Sequence, residues 1–330
     1  MTCSETSISD GANRICLAKS GDIQSYFLKN TCTVIQMGVN YAYLKYIENL
    51  IANEGRPQEV LFLGRQSCKD LSRRASKLIE RNYSSVNKEV PDRRENYYAD
   101  MFMIDCGWAV KTDSLDISNY EGANLLYDLN QRIQLGSTYD LIIDAGTLEH
   151  VFNVPIALEN ISSLLKVGGR VIHFVPANSQ MGHGLYQFSP EFFASVYSEM
   201  NGFSNSKIFL YDWKKKRKLY QVKVQNLHSR VEIHRSGRLE VWCDAKKLQN
   251  NLKADVQQTD YLLNWQGFQE IRVSDEEFHS KYGKASPLLM KIRRNRVAYS
   301  VAVYIYKLYR RFFCYSVSRL NSDLIEIPWK

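Results

Sequence analysis

The residues of this chain best suited to chemistry lie in one short segment, residues 144–150, with the sequence DAGTLEH. The segment follows an uninterrupted apolar run, Leu141–Ile143, typical of a strand covered on both faces of a parallel sheet. Open α/β sheets bind their ligands outside the carboxyl ends of such strands. The segment is therefore predicted to border a binding site.

Two histidines could exchange a proton with a substrate there, since an unperturbed imidazole titrates near neutral pH. His183 lies between two glycines in a loop that follows the next predicted strand, and it is our first choice for a general base. His150 is the second choice, although its position at the start of a helix favours a structural role. His173 alternates into a buried strand, and we interpret it as a core residue.

A metal site is not predicted from the sequence. Glu149 and His150 could together ligate an ion, but no third ligand follows at a spacing typical of metal sites. The seven cysteines include no C-x-x-C pair, which argues against a zinc site or a disulfide framework and is typical of a reducing cytoplasm.

The element that must position these residues is a strand, helix and strand unit. Asn153 can cap a helix, Pro155 suits its first turn, and Gly168–Gly169 is its predicted end. Val171–Val175 then forms the next buried strand. Such a unit is parallel and right-handed.

The sequence motifs of this unit resemble those of a known family. An acidic strand end before LEHV, a helix closing in LLKVGGR, a strand ending in VP and a downstream FSPE resemble the class I S-adenosylmethionine-dependent methyltransferases, from about Val60 to Phe193. The resemblance implies a Rossmann-like three-layer α/β/α sandwich around a mostly parallel seven-stranded sheet. Its strands are expected at residues 59–63, 114–118, 124–127, 139–144, 171–175 and 207–210, with an antiparallel seventh at 239–243.

The same resemblance implies S-adenosyl-L-methionine as cofactor and assigns residues to its methionine part. The turn after the first strand keeps one glycine, Gly64, where the family usually has several. Arg65 or Gln66 is expected to compensate by binding the cofactor's carboxylate.

Other strand ends are assigned to adenosine and to the sulfonium. Asp116 is expected to accept both ribose hydroxyls, with Glu121 as the fallback. Asp128 and Leu129 are expected to contact adenine, although Asp128 could equally form an Asx-turn. The segment Asp144, Ala145, Gly146 and Thr147 is expected beside the sulfonium, where small side chains leave room for the acceptor.

The net charge of +8 is confined to two segments. Residues 214–218 are all basic, and residues 285–330 hold nine basic against two acidic side chains, so the rest of the chain is acidic. The predicted catalytic region therefore does not have the charge of a nucleic-acid-binding domain. No signal peptide and no apolar run of about 20 residues is seen. A cytoplasmic protein is expected.

Three regions are predicted. Residues 1–55 form an N-terminal helical cap, in which helix 23–53 either covers the cofactor site or packs on the sheet. Residues 56–250 form the methyltransferase domain, with an insertion at 83–112, whose apolar part is a strand or a lid, and an added hairpin at 214–237. Residues 251–330 form a helical extension, in which a basic amphipathic helix at 287–320 could contact a membrane surface.

Three classes of function follow. The favoured hypothesis is a methyltransferase for a small-molecule or glycan acceptor, and the acceptor atom stays open. The second is a catalytically silent protein that keeps the fold, because the glycine turn is eroded. The third is a nucleic-acid methyltransferase using residues 214–218 and the basic tail. A nicotinamide dehydrogenase ranks lower, because the glycine fingerprint it needs is missing.

Overall fold

The computed structural model describes most of the predicted catalytic region and isolated parts of the rest. The described residues are 38–68, 97–213, 218–222, 233, 237–250, 252, 256, 297, 300, 301, 304, 305 and 324–328. Part of the predicted helix 23–53, part of the predicted insertion 83–112, most of the basic segment 214–218 and most of the C-terminal extension lie outside them. Described residues all belong to one compact unit within residues 38–330.

Nine strands of the described residues form a single mixed sheet. In chain order they are β1 Glu59–Leu63, β2 Lys111–Asp116, β3 Leu125–Leu126, β4 Tyr139–Asp144, β5 Leu165–Asn178, β6 Phe203–Asp212, β7 Lys218–Val222, β8 Leu239–Lys247 and β9 Leu324–Pro328. Across the sheet their order is β3-β2-β1-β4-β5-β8-β6-β7-β9. All seven predicted strands are present, and the bounds predicted for β1 and β4 are confirmed.

The strands β3, β2, β1, β4 and β5 are parallel, which places their carboxyl ends at one edge of the sheet. β8 is antiparallel to both β5 and β6, so the predicted antiparallel seventh strand is confirmed. The sheet then continues beyond the prediction, because β7 pairs with β6 and β9 pairs with β7. β9 comes from the region predicted as a helical extension. Its five residues form a strand through pairing with β7, which local sequence does not reveal.

The described helices cover both faces of the sheet. They are α1 Tyr41–Glu54, α2 Ala99–Asp105, α3 Val154–Leu164 and α4 Pro190–Val196. α1 and α2 pack on one face with Val60 and Phe62, whereas α3 and α4 pack on the other with Leu61 and Leu63. Because alternate residues of β1 enter opposite cores, the sheet is the middle of three layers.

Helix α1 packs on the sheet, which is one of the two positions that the sequence left open. Tyr43 stacks on Phe174 with ring centroids 4.3 Å apart, and both rings contact Trp242. Asn40 begins the helix by accepting hydrogen bonds from the backbone of Ala42 and Tyr43. The aromatic side chains of α1 therefore contribute to the core.

Two local predictions were wrong. The apolar residues 101–110 form neither a strand nor a lid, because α2 buries Phe102 and Met103 against the sheet. Helix α3 ends at Leu164, four residues before Gly168, since β5 already begins at Leu165. In both places tertiary packing overrides the local signal.

No helix among the described residues combines the length and the apolar character needed to span a bilayer. The described positions of the 287–320 helix are helical, and Val301, Tyr304 and Ile305 are exposed there. Contact of this helix with a membrane surface stays a prediction.

Strand β8 carries a buried carboxylate beneath α1. Glu240 has no exposed surface, and it accepts hydrogen bonds from the Tyr43 hydroxyl at 2.8 Å and the Trp242 indole at 3.2 Å. Burial raises the pKa of the Glu240 carboxyl, and these hydrogen bonds offset part of the effect. The folded state therefore binds this proton more tightly than the unfolded chain does.

We expect Glu240 to make stability depend on pH. A raised folded-state pKa stabilises the fold fully below the unfolded-state pKa of about 4.3, and this contribution is lost as pH rises through the folded-state pKa. Glu240→Gln cannot ionise, so its free energy of unfolding relative to the wild type increases as the pH rises above the unfolded-state pKa and through the raised folded-state pKa. Urea unfolding measures it, with the exposed Glu199→Gln as control. A difference independent of pH would contradict the expectation.

Candidate functional site

The carboxyl ends of β2, β1 and β4 bring three predicted site residues into one row. Leu63 pairs with Leu115 on one side and with Asp144 on the other. The next residues along the three strands, Asp116, Gly64 and Ala145, are therefore neighbours across the sheet. The backbone NH of Gly64 also donates to the carbonyl of Leu115 at 2.7 Å. The row lies where open α/β sheets bind ligands.

Gly64 lies in the bend that follows β1, close to the bend that follows β4. Its φ is +69°, and a Cβ built on it would lie 2.6 Å from Thr147 Oγ1. The Thr147 hydroxyl donates to the carbonyl of Leu63 at 2.6 Å, which ties the two bends together. Only glycine adopts this backbone at little cost and leaves the space open.

Arg65 and Gln66, the two candidates for the cofactor's carboxylate, differ in their contacts. The Arg65 guanidinium pairs with Asp100 at 3.1 Å, stacks over Tyr98 and donates to the backbone carbonyls of Glu121 and Gly122. Among the described residues, the side-chain amide of Gln66 makes one long hydrogen bond, a donation to Thr147 Oγ1 at 3.4 Å. Arg65 therefore joins the loops after β1 and β2, and Gln66 is the side chain beside the gap between β1 and β4.

The two acids assigned to adenosine are half-buried and each organises its own turn. Asp116 Oδ1 accepts from the backbone of Ser118 at 3.3 Å, and Asp128 Oδ1 accepts from the backbone of Asn130 at 2.9 Å. The Asx-turn expected as an alternative for Asp128 is thus present. The second oxygen of each carboxylate, Oδ2, accepts no hydrogen bond from the described residues. Leu129 is buried.

Asp144 lies behind the site rather than on its surface, because it is fully buried. Its Oδ2 is 2.7 Å from His173 Nδ1, and His173 Nε2 is 2.7 Å from the Tyr197 hydroxyl. Its Oδ1 accepts from the backbone of Thr147 at 2.9 Å and of Leu148 at 3.3 Å. Asp144 therefore holds the bend, and His173 is confirmed as a hydrogen-bonded core residue.

The bend turns directly into a short 3-10 helix, Leu148–His150. Gly146 has a φ of +97°, which a side chain would strain, and Ala145 is buried. The helix buries Glu149 and leaves His150 exposed. The three residues 145–147 thus form a small-residue border between the row of strand ends and the histidine-bearing side.

The loop after β5 is bound to this 3-10 helix. The carbonyl of Glu149 accepts from the backbone of Leu185 at 2.8 Å and of Tyr186 at 3.2 Å. A Cβ on Gly184 would lie 2.8 Å from the Glu149 Cγ. This close approach requires glycine and brings His183 to the Glu149 side chain.

Glu149, His150 and His183 form one cluster in the structure, which the sequence did not predict. One ligand atom from each, taken together, lies within 4.8 Å of the others. Glu149 is fully buried, and burial raises the pKa of its carboxyl, while the imidazole of His183 offsets part of the effect. His183 Nε2 is 3.5 Å from Glu149 Oε1, too far for a hydrogen bond. Two features of the sequence could have indicated the cluster: the adjacent Glu149 and His150, and the position of His183 between two glycines.

Exposed apolar side chains border the cluster along the chain. Phe152, Met181 and Leu185 are 74%, 92% and 61% exposed. The Tyr186 hydroxyl donates to the carbonyl of Phe152 at 2.9 Å, which holds the two segments side by side. Such a rim is typical of sites that bind ligands with an apolar portion.

Within the sheet, β1 to β6 and β8 are seven strands with one antiparallel member, as the sequence predicts. This mostly parallel, three-layer α/β/α arrangement is the one that the sequence resemblance implies. Solved structures similar to this chain include the N-methyltransferase NodS from Bradyrhizobium japonicum in complex with S-adenosyl-L-homocysteine. It is 10% identical, with a TM-score of 0.36 over 68% of this chain and 98% of NodS.

Two further solved structures are similar at the same level. A Burkholderia thailandensis 1,6-didemethyltoxoflavin-N1-methyltransferase is 15% identical, with a TM-score of 0.34 over 72% of this chain and 94% of that one. An S-adenosylmethionine-dependent methyltransferase from Archaeoglobus fulgidus is 13% identical, with a TM-score of 0.37 over 62% and 94%. No protein-family model and no curated protein matches the chain. Scores this low carry no argument about activity or acceptor.

We expect Gly184→Ala to separate the loop from Glu149. The added Cβ would meet the Glu149 Cγ at 2.8 Å and its carbonyl oxygen at 2.9 Å, so the free energy of unfolding should fall by about 1–3 kcal/mol. Gly136→Ala is the matched control, since its Cβ meets nothing within 4 Å. Urea unfolding compares the two variants. Equal decreases in the free energy of unfolding of the two variants would show that the close approach at Gly184 does not affect stability.

Proposed function

We propose that this protein is an S-adenosylmethionine-dependent methyltransferase for a small-molecule or glycan-type acceptor. The observation that carries the proposal is the row formed by Asp116, Gly64 and Ala145, with the histidine-bearing cluster on the far side of the small-residue bend. One side of the bend offers acids and open backbone, and the other offers groups that act on protons. An activated group held between them would face an acceptor.

The residues present fit this cofactor. Gly64 and Gly146 leave backbone without side chains on both sides of the gap, and Gln66 lies beside it with one weak contact. Asp116 and Asp128 would receive the ribose and adenine donors through their second oxygens. S-adenosylmethionine supplies, when bound, a methyl group on a sulfonium that is open to in-line attack. The chain contributes orientation and a surface that excludes water.

On the acceptor side we assign the chemistry to the cluster of Glu149, His150 and His183. His183 is half-buried and His150 is exposed, so both can be reached by a bound acceptor. The apolar rim of Phe152 and Leu185 would cover the rest of the acceptor and keep water away. An acceptor that loses a proton on attack needs a group of this kind nearby.

A silent scaffold is the second candidate, and the contacts of Arg65 favour it. This side chain is fully engaged with Asp100, Tyr98 and the backbone of residues 121–122, as expected if it closes the loops instead of binding a ligand. Cofactor binding by the purified protein separates the candidates. Absence of binding by a folded protein would favour the scaffold.

We expect the wild type to bind S-adenosylmethionine and S-adenosylhomocysteine in calorimetry, and Gly64→Ala to weaken that binding about tenfold or more. The added Cβ would meet Thr147 Oγ1 at 2.6 Å and Gln66 Nε2 at 2.9 Å. Gly107→Ala is the matched control, because Gly107 has a φ of +68° and open space around it. Both variants bear a left-handed cost of about 1–2 kcal/mol. Equal affinities in the two would remove Gly64 from the site.

We expect His183→Ala to lower turnover by about 10²-fold or more while cofactor affinity is kept. Turnover is measured as label transferred from S-adenosylmethionine to a panel of small-molecule and glycan acceptors. His279→Ala, which changes a histidine that we assign to no site, is the control and should stay active. Unchanged turnover in His183→Ala would exclude an acceptor-side role for this residue.

A further inference from the structure

The carboxylate of Glu149 accepts no hydrogen bond from the described residues. Its side chain is fully buried, and neither Oε1 nor Oε2 has a hydrogen bond. The nearest donor, His183 Nε2, is 3.5 Å from Oε1 and itself lacks a hydrogen bond. An isolated buried carboxylate is costly, and proteins compensate such groups by pairing or by metal coordination.

Two imidazole side chains lie close to this carboxylate. The rings of His150 and His183 are 5.3 Å apart between centroids, and one ligand atom from each of the three residues lies within 4.8 Å of the other two. Bonds of about 2.0–2.2 Å to one ion place its ligand atoms roughly 3.3 Å apart. The Glu149 Oε1 and His183 Nε2 atoms are already near that separation, at 3.5 Å. The ligand atom of the exposed His150 lies within 4.8 Å of both.

Main-chain contacts fix these positions. Glu149 and His150 lie on the 3-10 helix after β4, whose bend Asp144 holds through two backbone hydrogen bonds. His183 comes from the loop after β5, which Leu185 anchors to the Glu149 carbonyl at 2.8 Å. Both supports are independent of any ligand, so the cluster is preorganised.

We propose that Glu149, His150 and His183 bind a divalent transition-metal ion, leaving coordination positions open on the exposed side of His150. Two imidazoles and one carboxylate are the ligand set of catalytic zinc sites and of open three-ligand iron sites. Calcium and magnesium prefer oxygen ligands and fit this set less well. The fully buried carboxylate supplies the charge, and His150 supplies access from solvent.

The ion gives the cluster a specific part in the reaction, a consequence that rests on the proposed methyl transfer. His183 then acts as a ligand, and the cation favours loss of a proton from an acceptor hydroxyl that approaches it. The proton leaves to solvent, the acceptor oxygen forms a bond to the methyl carbon, and the electron pair of the broken carbon–sulfur bond stays on sulfur. The site therefore points to an oxygen acceptor.

Metal binding is tested on the full chain after chelator treatment, by calorimetry with zinc chloride and with manganese chloride. The wild type should bind one ion, and Glu149→Gln, His150→Ala and His183→Ala should each weaken binding at least about tenfold. Zinc should also raise the Tm of the wild type and leave that of Glu149→Gln unchanged. His279→Ala is the control and should bind as the wild type does. Binding unaffected in all three variants, or no binding by the wild type, overturns the proposal.

Cofactor binding keeps this test separate from the proposed function. S-adenosylmethionine affinity is measured in the presence and absence of chelator. Zinc binding without cofactor binding would sustain the metal site and remove the methyltransferase. Cofactor binding with methyl transfer that persists in chelator would overturn the metal site and return His183 to the role of general base.

Discussion

The candidate site depends on one buried carboxylate, that of Asp144 at the end of β4. One oxygen contacts His173 on the neighbouring strand, and the other holds the backbone of Thr147 and Leu148. The bend after β4 cannot shift without breaking these contacts in a fully buried environment. Removal of one member of such a network leaves the others without partners, which is why its geometry is strongly enforced. The 3-10 helix with Glu149 takes its place from this network.

Two further contacts connect this bend to its neighbours, one on each side. The Thr147 hydroxyl joins the bend to the end of β1, which keeps Gly64 and the adjoining strand ends in register. The carbonyl of Glu149 accepts from the loop after β5, which brings His183 to the other side. The two sides are thereby connected through a few residues of continuous backbone. Preorganisation of this kind reduces the entropy that binding and reaction must overcome.

Predictions from the sequence were correct where a local sequence pattern agreed with the strand ends of the sheet. Gly64 lies in a left-handed bend at a strand end, as its position after an apolar run predicts. It did not foresee that Arg65 would be held by Asp100 and backbone carbonyls, because Asp100 belongs to helix α2, which extends into the segment 101–110 that was predicted as a strand or lid. It also assigned Asp144 to the site surface, whereas the contact with His173 places it in the interior. Whether Asp116 and Asp128 hold adenosine stays a prediction.

The sequence by itself determined the order of the seven predicted strands, because apolar runs and capping residues act over a few positions of the chain. It also determined that Gly64, Asp116 and Ala145 follow strands that end at one edge. Only the tertiary structure decided that Glu149 and His183 meet, since 34 positions separate them and no local pattern records the distance. The meeting requires the parallel pairing of β4 with β5 and a loop that folds back onto the 3-10 helix. Long-range backbone pairing, and not residue type, places the two side chains together.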